Sequence, residues 1–193
     1  MVDLQDKPVI IGTPIEIEMA TNEIRLLLSE LPWVSHPYHI AQRFYRKKRQ
    51  RAFYYPETYA GGTGNKFNYH RLTPDNDYSG MFFFYVGKER NDYAPNQTNF
   101  LRYDVAIIFS ANLKLIDEAK LENGLFTQEL IRDVRRLLTT SHPLFDFHYK
   151  IKTVTRDLRE VYREFVLDSI EQYNRAPMQC FRFDIEITTQ EEC

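Results

Sequence analysis

Between Met178 and Thr188 every second side chain is apolar: Phe181, Phe183, Ile185 and Ile187 fall on one side, Arg182, Asp184 and Glu186 on the other. A period of two sends alternate residues to opposite faces of a strand, so this segment predicts one buried and one solvated face. The pattern returns between Phe145 and Val154, where Phe145, Phe147, Tyr149 and Ile151 oppose Asp146, His148, Lys150 and Lys152. Phe100 to Phe109 alternates in its first half and is continuously apolar in its second, as expected for a strand covered on both faces. Met81 to Val86 and Tyr69 to Leu72 also read as strands, joined as a hairpin by the turn chemistry of Pro74-Asp75-Asn76-Asp77. A chain patterned in this way requires a largely antiparallel sheet.

Helical periodicity fills the intervals. Thr13 is placed to cap a helix, with Pro14 at its first position and Glu16 completing a capping box. That helix runs to about Leu31 before Pro32 and turns Ile17, Ile24, Leu27, Leu28 and Leu31 largely to one side, although residues 15–19 also alternate as a strand would. Thr127 is a second candidate cap, for a helix to Leu138 carrying Leu130, Ile131, Val134, Leu137 and Leu138. Residues 156–172 predict a charged helix burying Leu158, Val161, Tyr162, Phe165 and Ile170. Trp33 to Phe53 has no clear period, and Phe53 to Tyr59 is extended, with Pro56 expected on an edge or bulge. The organisation that follows is an arm at 1–12, one α+β domain over 13–188 and a tail at 189–193. Two or three helices flank its mostly antiparallel sheet, with loop elaborations at 60–68 and 88–99.

Length and composition agree with one domain. A chain of 193 residues buries about 70% of its unfolded surface and needs no metal or disulfide to do so. Aromatics make up 15% of the chain, against only seven glycines, an excess that suits a broad sheet or a large protein interface. The net charge of −2 exerts no overall pull on nucleic acid or anionic membrane. No apolar stretch is long enough to span a bilayer, and Met1 to Lys7 lacks the order of a signal peptide, so the expected compartment is the cytosol. Cys180, in an apolar run, is expected as a buried thiol and Cys193 as a free terminal one.

Motifs for chemistry are incomplete. Asp75-Asn76-Asp77-Tyr78-Ser79-Gly80 opens like a calcium loop, but Val86 stands where the twelfth position needs a bidentate glutamate. Gly61-Gly62-Thr63-Gly64-Asn65 lacks the Lys-Ser or Lys-Thr pair and the following helix of a phosphate loop, and reads as a flexible contact loop between subunits. His36 and His39 are near enough to share a metal without an evident third ligand. No nucleophile motif is present, and the expectation is a protein that is not an enzyme and carries no cofactor or metal. The sharpest charged feature is Arg43, Arg46, Lys47, Lys48, Arg49 and Arg51, interleaved with Phe44 and Tyr45. It suits a DNA-facing or partner-facing patch, and equally a solvated strand edge on which lysine deters unwanted pairing.

The order of these elements is similar to that of the tail-terminator or tail-completion proteins of tailed phages. It runs from the helix Thr13–Leu31 and the segment Tyr54 to Gly61, through a hairpin and the strand Asp104–Phe109, to the helix Thr127–Leu138 and the strand Cys180–Ile187. Arg43-Phe44-Tyr45-Arg46-Lys47 and Tyr55-Pro56-Glu57-Thr58-Tyr59-Ala60-Gly61 also resemble neck proteins of phages infecting Bacteroides-type hosts, including the crAss-like group. The resemblance extends over most of 13–188, and the chain exceeds typical members at 60–100 and 154–176. It implies a small α+β subunit of the virion neck or tail, assembled in the host cytoplasm as a ring of six or twelve copies. Its partners would be portal, connector or tail proteins, with DNA passing nonspecifically through the lumen. Two alternatives stay open: an assembly adaptor that forms no ring, and a nonspecific nucleic-acid-binding module centred on 43–51.

Overall fold

Long strands with one or two covered faces need layers on both sides, and the chain supplies them. The computed structural model describes residues 16–48, 50–61, 68–92, 100–140, 147–168 and 170–190. Along the chain lie α1 (Glu16–Leu28), β1 (His36–Ile40), β2 (Gln42–Lys48), β3 (Arg51–Tyr59), β4 (Tyr69–Arg71), β5 (Gly80–Asp92) and β6 (Phe100–Asn112). Then follow α2 (Leu113–Asp117), α3 (Phe126–Thr140), β7 (Phe147–Thr155), α4 (Leu158–Val161) and β8 (Met178–Gln190). The main sheet has the order β1-β5-β6-β8-β7, antiparallel except for the parallel pair β1–β5, and β2-β3-β4 form a separate antiparallel sheet. The architecture is α+β, as the periodicities predict.

The two faces of the main sheet carry two apolar clusters. On one face Phe82, Phe84, Val105, Ile107, Phe109, Phe181, Phe183 and Ile185 meet Ile17, Ile24 and Leu28 of α1 and Leu130, Ile131 and Val134 of α3. Stacked and edge-on rings knit it together, with Phe109 and Phe181 centred 4.8 Å apart and Trp33 at 6.0 Å from Phe109. On the other face Met81, Phe83, Ala106, Ile108 and Cys180 are covered by Tyr55 of the small sheet and by Val161, Tyr162, Phe165 and Leu167. Closed on both sides, the centre of the sheet explains the continuous apolar run in β6. Of the ambiguous residues 15–19, those from Glu16 on are helical, since Glu16–Leu28 is a helix that hides Ile17, Ala20 and Ile24, and Ile15 lies outside the described residues. The capping residues proposed for it, Thr13 and Pro14, and the arm before them lie outside the described residues.

Four expectations need correction. Tyr69–Arg71 does not form a hairpin with the following strand: β4 pairs with β3, while β5 pairs with β1 and β6. The turn between them is real, with Asp75 Oδ1 accepting from the Asp77 N–H at 3.0 Å, but it carries the chain from one sheet to the other. Thr127 is not the cap of α3; it is buried inside the first turn, and Asn123 Oδ1 accepts from Leu125 N–H just before the helix.

Pro56 sits in the central strand of its sheet, not on an edge. Its carbonyl accepts from Leu72 N–H at 2.9 Å, and a residue's N and C=O point to the same side of a strand. The nitrogen therefore faces the gap between Leu72, where β4 has ended, and Val166, which bridges Tyr54, so no ladder bond with β2 is lost. The charged helix at 156–172 shrinks to four residues, because Val166 is drawn into main-chain pairing with Tyr54 and Arg182 Nη1 takes the carbonyls of Glu160 and Val161. Its apolar positions are still buried as the spacing implied, Val161, Tyr162 and Phe165 fully and Leu158 and Ile170 in part.

Candidate interaction surface

Four of the six basic residues, Arg43, Arg46, Lys47 and Lys48, lie on β2, an edge strand exposed at every position except the half-covered Phe44, and Arg51 opens β3. Antiparallel register with β3 pairs Arg43 with Pro56, Tyr45 with Tyr54 and Lys47 with Ala52 on one face, and Phe44 with Tyr55, Arg46 with Phe53 and Lys48 with Arg51 on the other. The alternation splits the patch. On the inner face Arg46 reaches Glu57 through two nitrogens, with Nη2 to Oε2 at 2.8 Å and Nε to Oε1 at 3.2 Å, and Arg71 approaches the same carboxylate at 3.9 Å. Glu57 is only 1% exposed, so these guanidinium groups balance a buried charge. Lys48 is 2.8 Å from Asp168, which also accepts from the Tyr55 hydroxyl at 2.6 Å. Bonds from Lys48 and then Tyr55 hold the Asp168 carboxyl below its usual range.

The outer face is different. Arg43 sits over the Tyr54 ring, its Cζ 4.1 Å from the centre, Tyr45 is 5.6 Å from the same ring and 55% exposed, and Lys47 projects into solvent. Among the described residues neither Arg43 nor Lys47 has an acidic partner. Arg51 is exposed on the inner face opposite Lys48, and Arg49 lies outside the described residues. The candidate inter-subunit loop begins at Gly61, whose φ of 90° only glycine adopts readily, and Ala60 and Asn68 close its base by a 2.9 Å backbone bond. Gly62, Thr63, Gly64 and Asn65 lie outside the described residues, as does most of the 88–99 elaboration.

Sequence reading missed a charged groove of about 720 Å³ on the partly covered face of the main sheet, lined by Tyr85, Gly87, Asp104, Lys152, Arg163 and Arg182. At one end, Arg90 and Lys152 flank the adjacent carboxylates of Asp104 and Glu186 across four neighbouring strands, at 2.6 to 3.2 Å. Register shifts between Val86 and Glu89 and between Ile151 and Thr153 re-aim side chains in this region. At the other end Arg182 is 2% exposed, bonded to Glu164 at 2.7 Å and to Asp184 at 2.8 Å. Burial alone would raise the Glu164 carboxyl, but its bonds to Arg182 and the guanidinium charge reverse this and leave it lowered. Alternation marks Arg182 as outward-facing; that the outward face is roofed there by 158–167 is long-range information that no local pattern carries.

The remaining candidates separate. His36 stacks on Tyr78 at 3.7 Å, while His39 is buried with Nε2 3.0 Å from Thr21 Oγ1. Burial first, and the charge of Arg25 second, push His39 down to about 4, so it is neutral at physiological pH. Among the described residues no three histidine, cysteine or acidic side chains group as metal ligands. Cys180 is a buried thiol as expected, donating to the Tyr173 carbonyl at 3.3 Å and pushed up to about 12 by burial; Cys193 lies outside the described residues. No described helix is long and apolar enough to cross a membrane. No family model matches the chain, and no curated protein matches its sequence.

Proposed function

We propose that this chain is a structural subunit of a phage head–tail connector, acting through contacts with neighbouring copies and with the portal or tail proteins on either side. The observation that carries the reading is the small sheet. Its edge strand β2 presents seven exposed or half-covered residues with no strand paired to its outer side among the described residues, and the β3–β4 loop emerges from the same sheet. An open edge offers main-chain donors and acceptors to a partner. The cations along β2 disfavour pairing with a second β2, so the surface suits a heterologous contact with a different face of the next subunit, the kind that closes into rings.

Negative-stain electron microscopy of the purified chain tests the proposal, with closed rings of six or twelve copies as the expected image. Replacing 61–67 by an Asn-Gly turn tests the loop. Ala60 and Asn68 are already hydrogen-bonded neighbours, so the shortened hairpin keeps its fold. Assembly is expected to be lost with the far-ultraviolet circular dichroism unchanged. Rings that persist in the shortened protein would remove the loop from the interface.

A further inference from the structure

We infer that the outer stripe of β2, formed by Arg43, Tyr45 and Lys47 and backed by Tyr54, is a sequence-independent contact for the phosphate backbone of duplex DNA, in which Arg46 and Lys48 take no part. The argument starts from alternation. Residues 43, 45 and 47 share one face of an extended strand and are spaced about 6.8 Å apart, so three donors stand in a row along a straight element. A linear polyanion meets such a row at regular intervals; a globular acidic surface does not have to.

The second step is charge. The acids near this segment, Glu57 and Asp168, are engaged on the opposite face with Arg46 and Lys48, so those two cations are already paired, whereas Arg43 and Lys47 on the outer face have no acidic partner among the described residues. A lysine or arginine already paired releases no counterion on meeting a phosphate and adds little to binding. The third step is preorganisation. With its Cζ 4.1 Å from the centre of the Tyr54 ring, the Arg43 guanidinium is held by a cation–π contact that restricts its rotamers while using no N–H donor on a carboxylate, and a guanidinium forks readily onto phosphate oxygens. Tyr45, 55% exposed between the two cations, adds a hydroxyl of the kind that donates to phosphate. The inference rests on the connector reading only for the choice of duplex DNA as the nucleic acid.

Fluorescence anisotropy with a mixed-sequence duplex, measured from low to physiological salt, tests it. Each phosphate contact contributes about 0.9 to the slope of log K against log salt, so Arg43→Gln/Lys47→Gln is expected to flatten the slope by about 1.8. Arg132→Gln/Arg135→Gln removes the same charge from exposed positions of α3, on the far side of the main sheet, and is expected to leave the slope unchanged. Should the first double variant fold poorly, Lys47→Gln alone is expected to flatten the slope by about 0.9, since its side chain is exposed and has no acidic partner among the described residues. The inference is overturned if wild type does not bind duplex at low salt, if it prefers single strands, or if both double variants lose slope equally. Rings that assemble but ignore DNA would overturn it and leave the assembly reading standing; DNA binding by a monomer would do the reverse.

Discussion

Arg182 occupies an unusual position for an arginine in an alternating strand, and replacing it with methionine measures what its network contributes. The substitution keeps an apolar stem of similar length and removes five donors. Those donors serve Glu164, Asp184 and the carbonyls of Glu160 and Val161. Removing one partner of a buried ion pair costs about 3–5 kcal/mol. Glu164 and Asp184 keep 19% and 15% of their side chains exposed, and both can rehydrate in part, which draws the expectation to about 3 kcal/mol. For a chain of this length that corresponds to roughly 6–12 °C in Tm. Urea unfolding followed by the fluorescence of Trp33, which lies in the opposite cluster, reads global stability and not local loosening. Arg182→Lys is expected to recover less than half of the loss, because an ammonium cannot fork to both carboxylates. The Glu164 carboxyl is lowered in the folded state, so its share of stability is present above the ordinary carboxylate range and lost as the pH falls below it. The gap between wild type and Arg182→Met should therefore narrow at acid pH. A loss below about 1 kcal/mol at neutral pH would show that the network behaves as a surface one and would refute this account of the groove.

Other outcomes follow from the same structure. A Cβ at Gly80 would stand 2.6 Å from the Trp33 carbonyl and 2.7 Å from its ring, so Gly80→Ala is expected to destabilise by about 1–3 kcal/mol, while Gly124→Ala, with nothing within 4 Å, is expected to be neutral or slightly stabilising in the same urea titration. Cys180, with its thiol pushed up to about 12, should resist iodoacetamide at pH 8 in the native protein and react fully in denaturant, as read by mass spectrometry. His39, lowered from 6.5 to about 4, stays neutral in the fold while the unfolded chain takes up a proton, so stability should decline as the pH falls through that window. His39→Asn should flatten the decline; an unchanged profile would show that other groups cause it.

How much of this was legible beforehand depends on whether the signal is local. The strands β6, β7 and β8 and the helix α3 follow from periodicity alone, because one neighbouring layer decides which side chains are hidden. Where the period was obscure, between Trp33 and Phe53, the chain leaves one sheet and enters another: Ala41 separates β1 from β2 and donates to Phe84 at 2.7 Å. A residue serving two sheets has no single buried side, and alternation blurs. The helix expected at 156–172 failed for a related reason, since its spacing recorded which residues are buried while partners distant in sequence, Tyr54 and Arg182, set the backbone. In the basic segment the residue types were visible, but not their division into Arg46 and Lys48, paired with carboxylates, and Arg43 and Lys47, which have no acidic partner among the described residues. That division depends on Glu57 and Asp168, placed by a cross-strand register and by a loop more than a hundred residues away.

The proposal that this chain builds a connector ring is tested most directly by its mass in solution. Native mass spectrometry across a concentration series should find one dominant closed species of six or twelve chains that grows at the expense of monomer without intermediate ladders. Monomer alone at every concentration, with the fold intact by circular dichroism, would contradict a self-assembling ring.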